Sequence, residues 1–561
     1  MKSILKKNRY LATFLVMPML LWSSCSGKEA EKRSYLLLEG PVALAAPEGG
    51  ITQEYTVKSN GQWEVIRKSI QTWAEARPAS GQNDGAFRIM VGENTSGSNR
   101  SMKFTLMLDG KEQQDDISIV QEGTMPEWDG IVWNEINQDQ NLTLVQHGIP
   151  AYNATDYLYR RDGQSVFKVK FQEPSVAGVA AKPEGWGFFQ QPSFYRRASD
   201  GLILLTWHYA PDHITGVTPP NADRYRLSSD NGKTWAQTMS PPWESIALII
   251  GNGDGLAIRT PAAEKISESD LPECIGTTRD MYGRNYSFYR LAELPSKMQG
   301  VYLTRYRWKS GTSFDEIREH ATMDDPKAVR FSDEGYFGVK WWGDMKLLSD
   351  NSLVAGIYAT FYELPTGGVD DPSGISFYRS VDHGYSWRIL GKVPYKYDPA
   401  VDPNGVKRTG FGYIEPAFEV LSDGTFLCVL RTHDGYGHSP QYISRSSDRG
   451  VTWSDPEPFT PAGVYPRLLQ LENGVLVLVS GRPGVQIRFS LDGKGEKWTD
   501  PFEMLPYKDL EPKEQVTCGY ASLLATGPNS FLVAYSDFKF LNDNNEERKA
   551  VKVREITVNK E

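Results

Sequence analysis

One short stretch of the sequence decides the fold: Ser446-Ser447-Asp448-Arg449-Gly450-Val451-Thr452-Trp453. Its form, Ser-x-Asp-x-Gly-x-Thr/Ser-Trp, recurs at residues 228–235 and 380–387, and a looser copy occupies residues 490–498. The Asp carboxylate can accept backbone N–H groups across a hairpin turn, and the Gly supplies a position with φ > 0. The Trp is expected to pack back between sheets. Each copy therefore predicts a turn between two strands, and its aspartate is structural rather than catalytic.

The repeat indicates an all-β architecture for the C-terminal two-thirds of the chain. Recurrence of one supersecondary unit is the signature of a repeat fold, and residues 181–561 have room for six four-stranded blades of a β-propeller. The composition agrees, because 51 Gly, 15 Trp and an aromatic share of 12% among 561 residues suit many short strands joined by tight turns. A net charge of −9 argues against a nucleic-acid partner. We expect a monomer.

The first residues predict an export signal. A cationic start precedes an apolar run, Tyr10 to Trp22, which is too short for a membrane-spanning helix. Cys25 then stands where a bacterial lipoprotein signal is cut and lipidated, and a plain signal peptide cut near Ser24 is the alternative. We expect residues 1–24 to be removed and residues 25–35 to form a tether. A lipid on Cys25 would hold the exported protein on a membrane, on its periplasmic or outer face.

Residues 36–123 predict a small β-sandwich, because short alternating strands are separated by clusters of turn residues. The run Ser59-Asn60-Gly61-Gln62-Trp63-Glu64-Val65, followed by Trp73, Ser80-Gly81, Arg100 and Val120-Gln121, resembles a BACON domain. That family occurs ahead of glycan-active domains in gut Bacteroidetes proteins, which implies either carbohydrate binding or a spacer, and we favour the spacer. Residues 124–180 either supply a first strand or lead into the propeller.

The eight-residue repeat is the Asp box, and Asp boxes on a six-bladed propeller resemble the sialidase superfamily. The resemblance implies three arginines that grip a substrate carboxylate, a Tyr nucleophile activated by a Glu, and an Asp acid/base. The chemistry requires these residue types. An anomeric carbon next to a carboxylate repels an anionic nucleophile, so a neutral phenol with a carboxylate base serves instead. Guanidinium groups match a carboxylate in bidentate fashion.

Four segments resemble the parts of such a site, in the family's order. Glu415 precedes the turn Leu421-Ser422-Asp423-Gly424, and Arg431 ends the apolar run that follows it. Arg482 lies shortly before the fourth Asp box, and Tyr520 lies within Cys518-Gly519-Tyr520-Ala521-Ser522. The resemblance implies Tyr520 as the nucleophile, Glu415 as its base, and Arg431 with Arg482 as ligands of the carboxylate.

The first arginine of the family pattern is replaced in this chain. The family begins its propeller with Phe-Arg-Ile-Pro, whereas this chain reads Phe189-Gln190-Gln191-Pro192. The amide of Gln190 can hydrogen-bond a hydroxyl or a carboxylate, but it cannot form a charged fork. Arg196 or Arg197 could compensate, although both follow the start of the strand.

Asp212 is the candidate acid/base, and Asp223 is a weaker one. His208 and His213 could orient the acid or act themselves near neutral pH. A surface loop with a turn-forming Pro-Asp pair is the alternative. Five aromatic side chains could stack on sugar rings or belong to blade cores: Trp186, Trp207, Trp341, Trp342 and Tyr436.

Three hypotheses for the function follow. The first is an exo-acting, retaining glycoside hydrolase that releases a terminal acidic sugar, sialic acid or a related one, from a glycan. The second is a non-catalytic glycan-binding lipoprotein, with Gln190 as a mark of lost catalysis. The third is a propeller hydrolase or lyase acting on another glycan through His208, His433 or His438. We expect no metal and no organic cofactor, because no motif has the required spacing.

Overall fold

The computed structural model describes the following parts of the chain: residues 34–68, 73–94, 100–121, 138–145, 150–197, 200–211, 218–219, 221–239, 248–259, 261, 263–280, 284–309, 313–333, 335–338, 342–433, 440–506 and 516–561. The fold is all-β, as the Asp boxes predicted, and the helical parts of these described segments are four single 3-10 turns: Glu268–Asp270, Leu291–Glu293, Ser296–Met298 and Gly405–Lys407. Among the described residues, no helix is long and apolar enough to cross a membrane.

The N-terminal unit contains nine strands in two sheets. They are β1 (Leu36–Glu39), β2 (Ala43–Ala46), β3 (Ile51–Ser59), β4 (Gln62–Arg67), β5 (Ala74–Arg77), β6 (Ser80–Gln82), β7 (Gly85–Val91), β8 (Arg100–Leu108) and β9 (Lys111–Gln121). One sheet has the order β1-β3-β7-β5 and the other β2-β9-β8-β4-β6. Both contribute apolar side chains to one core, in which Trp63 is 2% exposed. A Cβ on Gly81 would lie 2.2 Å from the Trp63 ring, so the close approach of the ring requires glycine there.

The remaining strands follow in chain order. They are β10 (Thr143–Leu144), β11 (Thr155–Arg161), β12 (Gln164–Phe171), β13 (Ser175–Val179), β14 (Phe188–Arg196), β15 (Ile203–Tyr209), β16 (Tyr225–Ser228), β17 (Ala236–Gln237), β18 (Leu248–Ile249), β19 (Gly255–Arg259), β20 (Glu264–Lys265), β21 (Gly276–Arg279), β22 (Asn285–Arg290), β23 (Val301–Trp308), β24 (Phe314–Asp324), β25 (Ala328–Asp333) and β26 (Tyr336–Phe337). Then come β27 (Trp342–Leu347), β28 (Leu353–Tyr362), β29 (Gly374–Ser380), β30 (Ser386–Val393), β31 (Tyr413–Val420), β32 (Phe426–Thr432), β33 (Gln441–Ser446), β34 (Glu457–Thr460), β35 (Val464–Gln470), β36 (Leu476–Gly481), β37 (Val485–Ser490), β38 (Phe502–Glu503), β39 (Ala521–Gly527), β40 (Ser530–Leu541) and β41 (Glu547–Lys560).

The strand pairing contains six antiparallel sets, and we interpret each set as a blade. Blade 1 is β14–β17, blade 2 is β18, β19, β23 and β24, and blade 3 is β27–β30. Blade 4 is β31–β34, blade 5 is β35–β38, and blade 6 contains β39, β40 and β41. Strands β20–β22, β25 and β26 form an insertion whose β25 pairs with β28 of blade 3. The first strands of blades 3, 4, 5 and 6 pack side by side in that order, and the first strand of blade 1 contacts that of blade 6.

The outer strand of blade 6 comes from the segment ahead of blade 1. β12 and β13 both pair antiparallel with the last strand, β41. The buried Arg554 of β41 donates hydrogen bonds to the backbone carbonyls of Ala151, Asn153 and Gln172. The segment 124–180 therefore supplies strands β12 and β13 to the sheet of blade 6. That sheet includes residues that precede the propeller boundary expected at residue 181.

Each Asp box forms the hydrogen-bonded turn expected from its residues. In the third copy, Asp448 accepts hydrogen bonds from the Ser446 hydroxyl (2.8 Å), the Thr452 backbone N–H (2.8 Å) and the Thr452 hydroxyl (2.6 Å). The backbone N–H of Gly450, at φ 92°, donates to Ser446. The Trp packs against the preceding blade: Trp453 of blade 4 stacks on Phe377 of blade 3 at 4.2 Å. The Asp boxes therefore fix the hairpins and the contacts between blades, and not the candidate site.

Candidate active site

Three of the first strands share one local distortion. The register shifts at Gln191 in blade 1, Glu415 in blade 4 and Tyr465 in blade 5, and each of these residues has positive φ (51°, 47° and 46°) and precedes a proline. A β-bulge re-aims the side chain at the bulge, and left-handed backbone at a non-glycine residue is strained. Such strain concentrates at functional sites. In this structure both Glu415 and Tyr465 contact Tyr520.

Tyr520, Glu415 and Arg431 form one hydrogen-bonded cluster. The Tyr520 hydroxyl donates to Oε1 of Glu415, and Nη1 of Arg431 donates to Oε2 of the same carboxylate. The same Nη1 atom lies 3.0 Å from the Tyr520 oxygen and donates to it. Arg431 lies on β32 and pairs with Ile414 of β31, the residue before the bulge at Glu415, which brings its side chain to this position. The structure therefore brings together three of the site residues that the sequence singled out.

The electrostatics of the cluster keep the phenol neutral. Burial raises the pKa of Tyr520 far above its ordinary value, and the negative charge of Glu415 raises it further. The positive charges of Arg431 and Arg482 act in the opposite direction. A neutral phenol whose proton already points at a carboxylate can lose that proton to Glu415 as its oxygen attacks an electrophile.

Arg482 lies at the edge of this cluster. It follows the last residue of β36, has φ 48°, and its Nε donates to the Cys518 carbonyl at 3.3 Å. A Cβ on Gly481 would lie 2.1 Å from the Gly519 carbonyl oxygen, so the two segments approach this closely only because Gly481 has no side chain. The guanidinium carbon of Arg482 is 5.7 Å from the Trp186 ring centroid. Arg482 is thus held beside the chain segment that carries Tyr520.

Tyr465 is a site residue that the sequence reasoning missed. Its ring stacks on the Tyr520 ring with centroids 4.2 Å apart and an interplanar angle of 2°. Arg467, two residues on, donates to the Tyr465 hydroxyl and lies 4.0 Å from that ring. The signal available in the sequence was the dipeptide Tyr465-Pro466, which occupies the same place in its blade as Glu415-Pro416 and Gln191-Pro192.

Gln190 lies on β14 and is 1% exposed, and its Nε2 atom has no hydrogen-bond partner in the described part of the chain. The carbonyl of the preceding Phe189 accepts a hydrogen bond from Ser536, whose hydroxyl is 3.5 Å from the Cys518 sulfur. Gln190 is therefore linked to the Tyr520 segment through backbone and Ser536 contacts. The expected alternatives on this strand are engaged elsewhere, because Arg196 donates to Asn231 and Arg197 pairs with Asp200.

The remaining candidates separate into two groups. Asp212, His213, Trp341, Tyr436, His438 and Cys25 lie outside the described residues, as does the side chain of Trp342. Asp223 forms a bidentate ion pair with Arg226, at 2.5 and 3.1 Å, and is therefore engaged in a structural contact. His208 Nδ1 lies 2.6 Å from the Gly187 carbonyl oxygen, and His433 stacks on Phe411. Trp207 is 1% exposed and belongs to a blade core.

The described residues contain no group of three or more His, Cys, Asp and Glu side chains placed to hold a metal ion.

No protein-family profile matches the sequence, and no curated protein matches it. Several solved structures align with the chain. A Dyadobacter fermentans protein of unknown function is 16% identical over 69% of this chain and 99% of its own, with a TM-score of 0.45. A mutant NanB sialidase from Streptococcus pneumoniae is 13% identical over 89% and 95%, with a TM-score of 0.37. A Penicillium chrysogenum alpha-L-arabinanase is 16% identical over 68% and 98%, with a TM-score of 0.35. These identities and TM-scores are too low to assign an activity to this chain.

Proposed function

We propose that this protein is a retaining, exo-acting glycoside hydrolase that releases a terminal sugar bearing a carboxylate, with Tyr520 as nucleophile. The observation that carries the proposal is the contact of the Tyr520 hydroxyl with the Glu415 carboxylate, beside Arg431. A buried tyrosine that contacts a carboxylate and a guanidinium group beside strained backbone is an arrangement of the kind that concentrates at functional sites.

The proposed reaction follows from these contacts. The Tyr520 oxygen attacks the anomeric carbon, the bond from that carbon to the leaving oxygen breaks, and the phenolic proton passes to Glu415. The leaving oxygen takes a proton from an acid, for which Asp212 is the sequence candidate. In the second step water attacks the anomeric carbon and loses a proton to the group that acted as the acid, while the Tyr520 oxygen leaves and recovers its proton from Glu415. The two displacements give net retention.

Recognition of a carboxylate is proposed for the positive side of the cluster. Arg431 donates to the Tyr520 oxygen, and Arg482 donates to the carbonyl of Cys518, two residues ahead of Tyr520. We assign the binding of the acidic group of the sugar to these two guanidinium groups. Gln190 would add one neutral hydrogen bond through its Nε2 atom. A charged hydrogen bond contributes about 1.5–3 kcal/mol, against about 1 kcal/mol for a neutral one. The site would therefore bind common sialic acids less tightly than a complete arginine triad. We further propose that Cys25 anchors the protein to a membrane.

The decisive experiment measures product release by the purified protein from sialosides and from glycosides of other sugar acids. Tyr520→Phe removes only the hydroxyl and should abolish hydrolysis of any glycoside that the wild type cleaves. Tyr535→Phe is the matched control, because Tyr535 is a buried tyrosine of the same blade whose hydroxyl has no hydrogen-bond partner in the described structure. An unchanged rate in Tyr520→Phe would overturn the proposal. Tight binding without hydrolysis would instead favour the glycan-binding protein.

A further inference from the structure

The N-terminal unit is docked on the propeller through a network of charged side chains. On β5, Arg77 pairs with Asp333 of the insertion at 2.5 Å, and Glu75 pairs with Arg284 at 3.4 Å. These four side chains are between 6% and 20% exposed. Arg284 is held in turn by Asp280 at 2.5 Å. Paired charges that are largely withdrawn from water are costly to separate, since each would be left without its partner.

The Glu75 carboxylate of this network is ionised at neutral pH. Burial alone would raise the pKa of Glu75, but the charges of Arg77 and Arg284 lower it to about 2. A further ion pair joins the two units at another place, where Lys407 Nζ lies 3.3 Å from Oε1 of Glu93. Ion pairs at two separate places fix the orientation of the N-terminal unit better than ion pairs at one place would. A freely hinged spacer would not require a fixed orientation.

A third contact reaches the candidate active site. Ile66 and Arg67, at the end of β4, lie against Gly185 and Trp186: the Ile66 Cγ2 atom is 3.4 Å from the place of a Cβ on Gly185, and the Arg67 guanidinium carbon is 6.0 Å from the Trp186 ring centroid. Trp186 is 8% exposed and packs with Cys518, Phe538 and Tyr520. The Trp186 ring is close both to the N-terminal unit and to Arg482, the proposed ligand of the substrate carboxylate, because its centroid lies 6.0 Å from the guanidinium carbon of Arg67 and 5.7 Å from that of Arg482.

We propose that the N-terminal unit is part of the substrate site, with Arg67 and Ile66 as positioning residues that fix Trp186 and thereby hold Arg482 in place for the substrate carboxylate. The proposal rests on the proposed function, since it assigns Arg482 to a carboxylated sugar. It replaces the spacer interpretation of residues 36–123. Three successive contacts carry it: the docked unit on Trp186, Trp186 near Arg482, and Arg482 on the carbonyl of Cys518, two residues ahead of Tyr520.

The first test uses Arg67→Met, which keeps an unbranched apolar stem and removes the guanidinium group with its charge. Lys58→Met is the matched control, because Lys58 is a half-exposed cation of the same unit, on β3, paired with Asp84. Amide hydrogen exchange of residues 184–190 and 480–486, measured without ligand, should become faster by about threefold or more in Arg67→Met and remain unchanged in Lys58→Met. Unchanged exchange in Arg67→Met would overturn the relay through Trp186.

The second test separates positioning from general stability. The probes are 2-deoxy-2,3-didehydro-N-acetylneuraminic acid and its methyl ester, which lacks the negative charge, with affinities measured by calorimetry. Arg67→Met should weaken binding of the acid by about five- to twentyfold and leave binding of the ester nearly unchanged, since only the acid uses a fixed Arg482. Equal effects on both ligands, or no effect on either, would overturn the proposal.

A charge exchange checks the docking itself. Glu93→Lys and Lys407→Glu should each weaken binding of the acid, and the double variant should restore it, because the two residues pair only with the unit docked. Failure of the double variant to recover affinity lost in the single variants would count against the docked arrangement. If the wild type binds neither probe, the proposed function fails. The amide hydrogen exchange of Arg67→Met still decides whether the N-terminal unit fixes Trp186.

Discussion

The β-bulge at Glu415 places one carboxylate in contact with both Arg431 and Tyr520. The bulge at Glu415 turns its carboxylate toward both Arg431 and Tyr520, so one side chain is an ion-pair partner and a proton acceptor at once. Glu415→Gln keeps the shape and removes the base. We expect kcat to fall by about 10²- to 10⁴-fold, which is the range for loss of general base assistance. Glu419→Gln, on the same strand and paired with Lys346, is the control, and an equal loss in both variants would contradict the assignment.

Tyr465 offers a residue-scale test of how Tyr520 is held. The parallel stack of the two rings is an aromatic pair worth about 0.5–1.5 kcal/mol beyond its buried area. Tyr465→Ala should therefore lower kcat by about two- to tenfold, because the Tyr520 ring loses the aromatic ring that stacks on one of its faces. Tyr465→Phe keeps the ring and loses only the hydroxyl that accepts from Arg467, so its kcat should stay within about twofold. Steady-state kinetics on the same glycoside would decide, and a larger loss in the Phe variant would contradict stacking as the role of the ring.

Replacing Gln190 should have opposite effects on the stability of the free protein and on its affinity for a carboxylated sugar. Its buried Nε2 atom has no partner in the described structure, and an unsatisfied buried donor costs about 1–3 kcal/mol. Gln190→Met has similar volume and no donor, so it should raise the melting temperature of the free protein. The same change should weaken binding of a carboxylated sugar, because one hydrogen bond is lost. Thermal unfolding and calorimetry on one preparation would show both signs, and a lower melting temperature would mean that the amide already has a partner.

Sequence offsets predicted which side chains would meet, but not what surrounds them. Tyr520, Glu415 and Arg431 meet because their distances from the Asp boxes fix their places at the start or end of blade strands. Tyr465 could not be assigned in the same way, because a stacked ring depends on the backbone angle at the bulge rather than on residue type.

At the scale of the element, the Asp box is a turn whose strength depends on pH. Hydrogen bonds from the Thr452 side chain and backbone and from Ser446 lower the pKa of Asp448 to about 2. A lowered folded-state pKa stabilises the fold above the unfolded value, about 3.9, and this contribution is lost as the pH falls toward the folded value. Asp448→Asn should therefore lower the melting temperature at pH 7, and its difference from the wild type should shrink between about pH 4 and pH 2.

The matched control for this element is Asp455→Asn, because Asp455 has an exposed side chain, 76% accessible, in the same blade. Its melting temperature should follow that of the wild type at each pH. A difference between Asp448→Asn and the wild type that stays constant down to pH 2 would contradict the ionised turn. Hydrolysis at a temperature well below unfolding should be unchanged in both variants, since the Asp boxes lie apart from Tyr520.

The elements without an Asp box were the hardest to predict. Blade 2 and the insertion occupy the long gap between the first two boxes, and the sequence indicated only room for a blade or more there. In blade 2 the turn between β23 and β24 includes a backbone hydrogen bond from Lys309 to Ser313 at 2.8 Å, in place of the Asp and Trp contacts. Backbone hydrogen bonds of this kind have no residue signature, so the strand boundaries around them depend on tertiary packing.

At the scale of the whole molecule, the docking of the N-terminal unit was not predictable from local pattern. The strand rhythm of residues 36–123 indicated a separate unit, and the structure gives it a core of its own. Its contacts with the propeller are made by residues such as Arg77 and Glu93, which look like ordinary surface charges in the sequence. Their partners are hundreds of residues away along the chain, so only the fold reveals that they are paired.

Ring closure makes the stability of the propeller depend on both ends of its chain, and Arg554 tests this dependence. Its guanidinium is buried among the carbonyls of Ala151, Asn153 and Gln172, which precede blade 1, while Arg554 itself lies on the last strand. Arg554→Met would deprive these carbonyls of their donor, and the loss at the buried Ala151 alone costs about 1–3 kcal/mol. Because the blades form a ring joined by this sheet, we expect the propeller to unfold in one transition at a lower denaturant concentration, seen alike by tryptophan fluorescence and circular dichroism. Arg548→Met, on the same strand but paired with the nearby Glu546, should shift that midpoint much less. Equal shifts in the two variants would mean that the contacts of Arg554 with the segment ahead of blade 1 do not hold the ring closed.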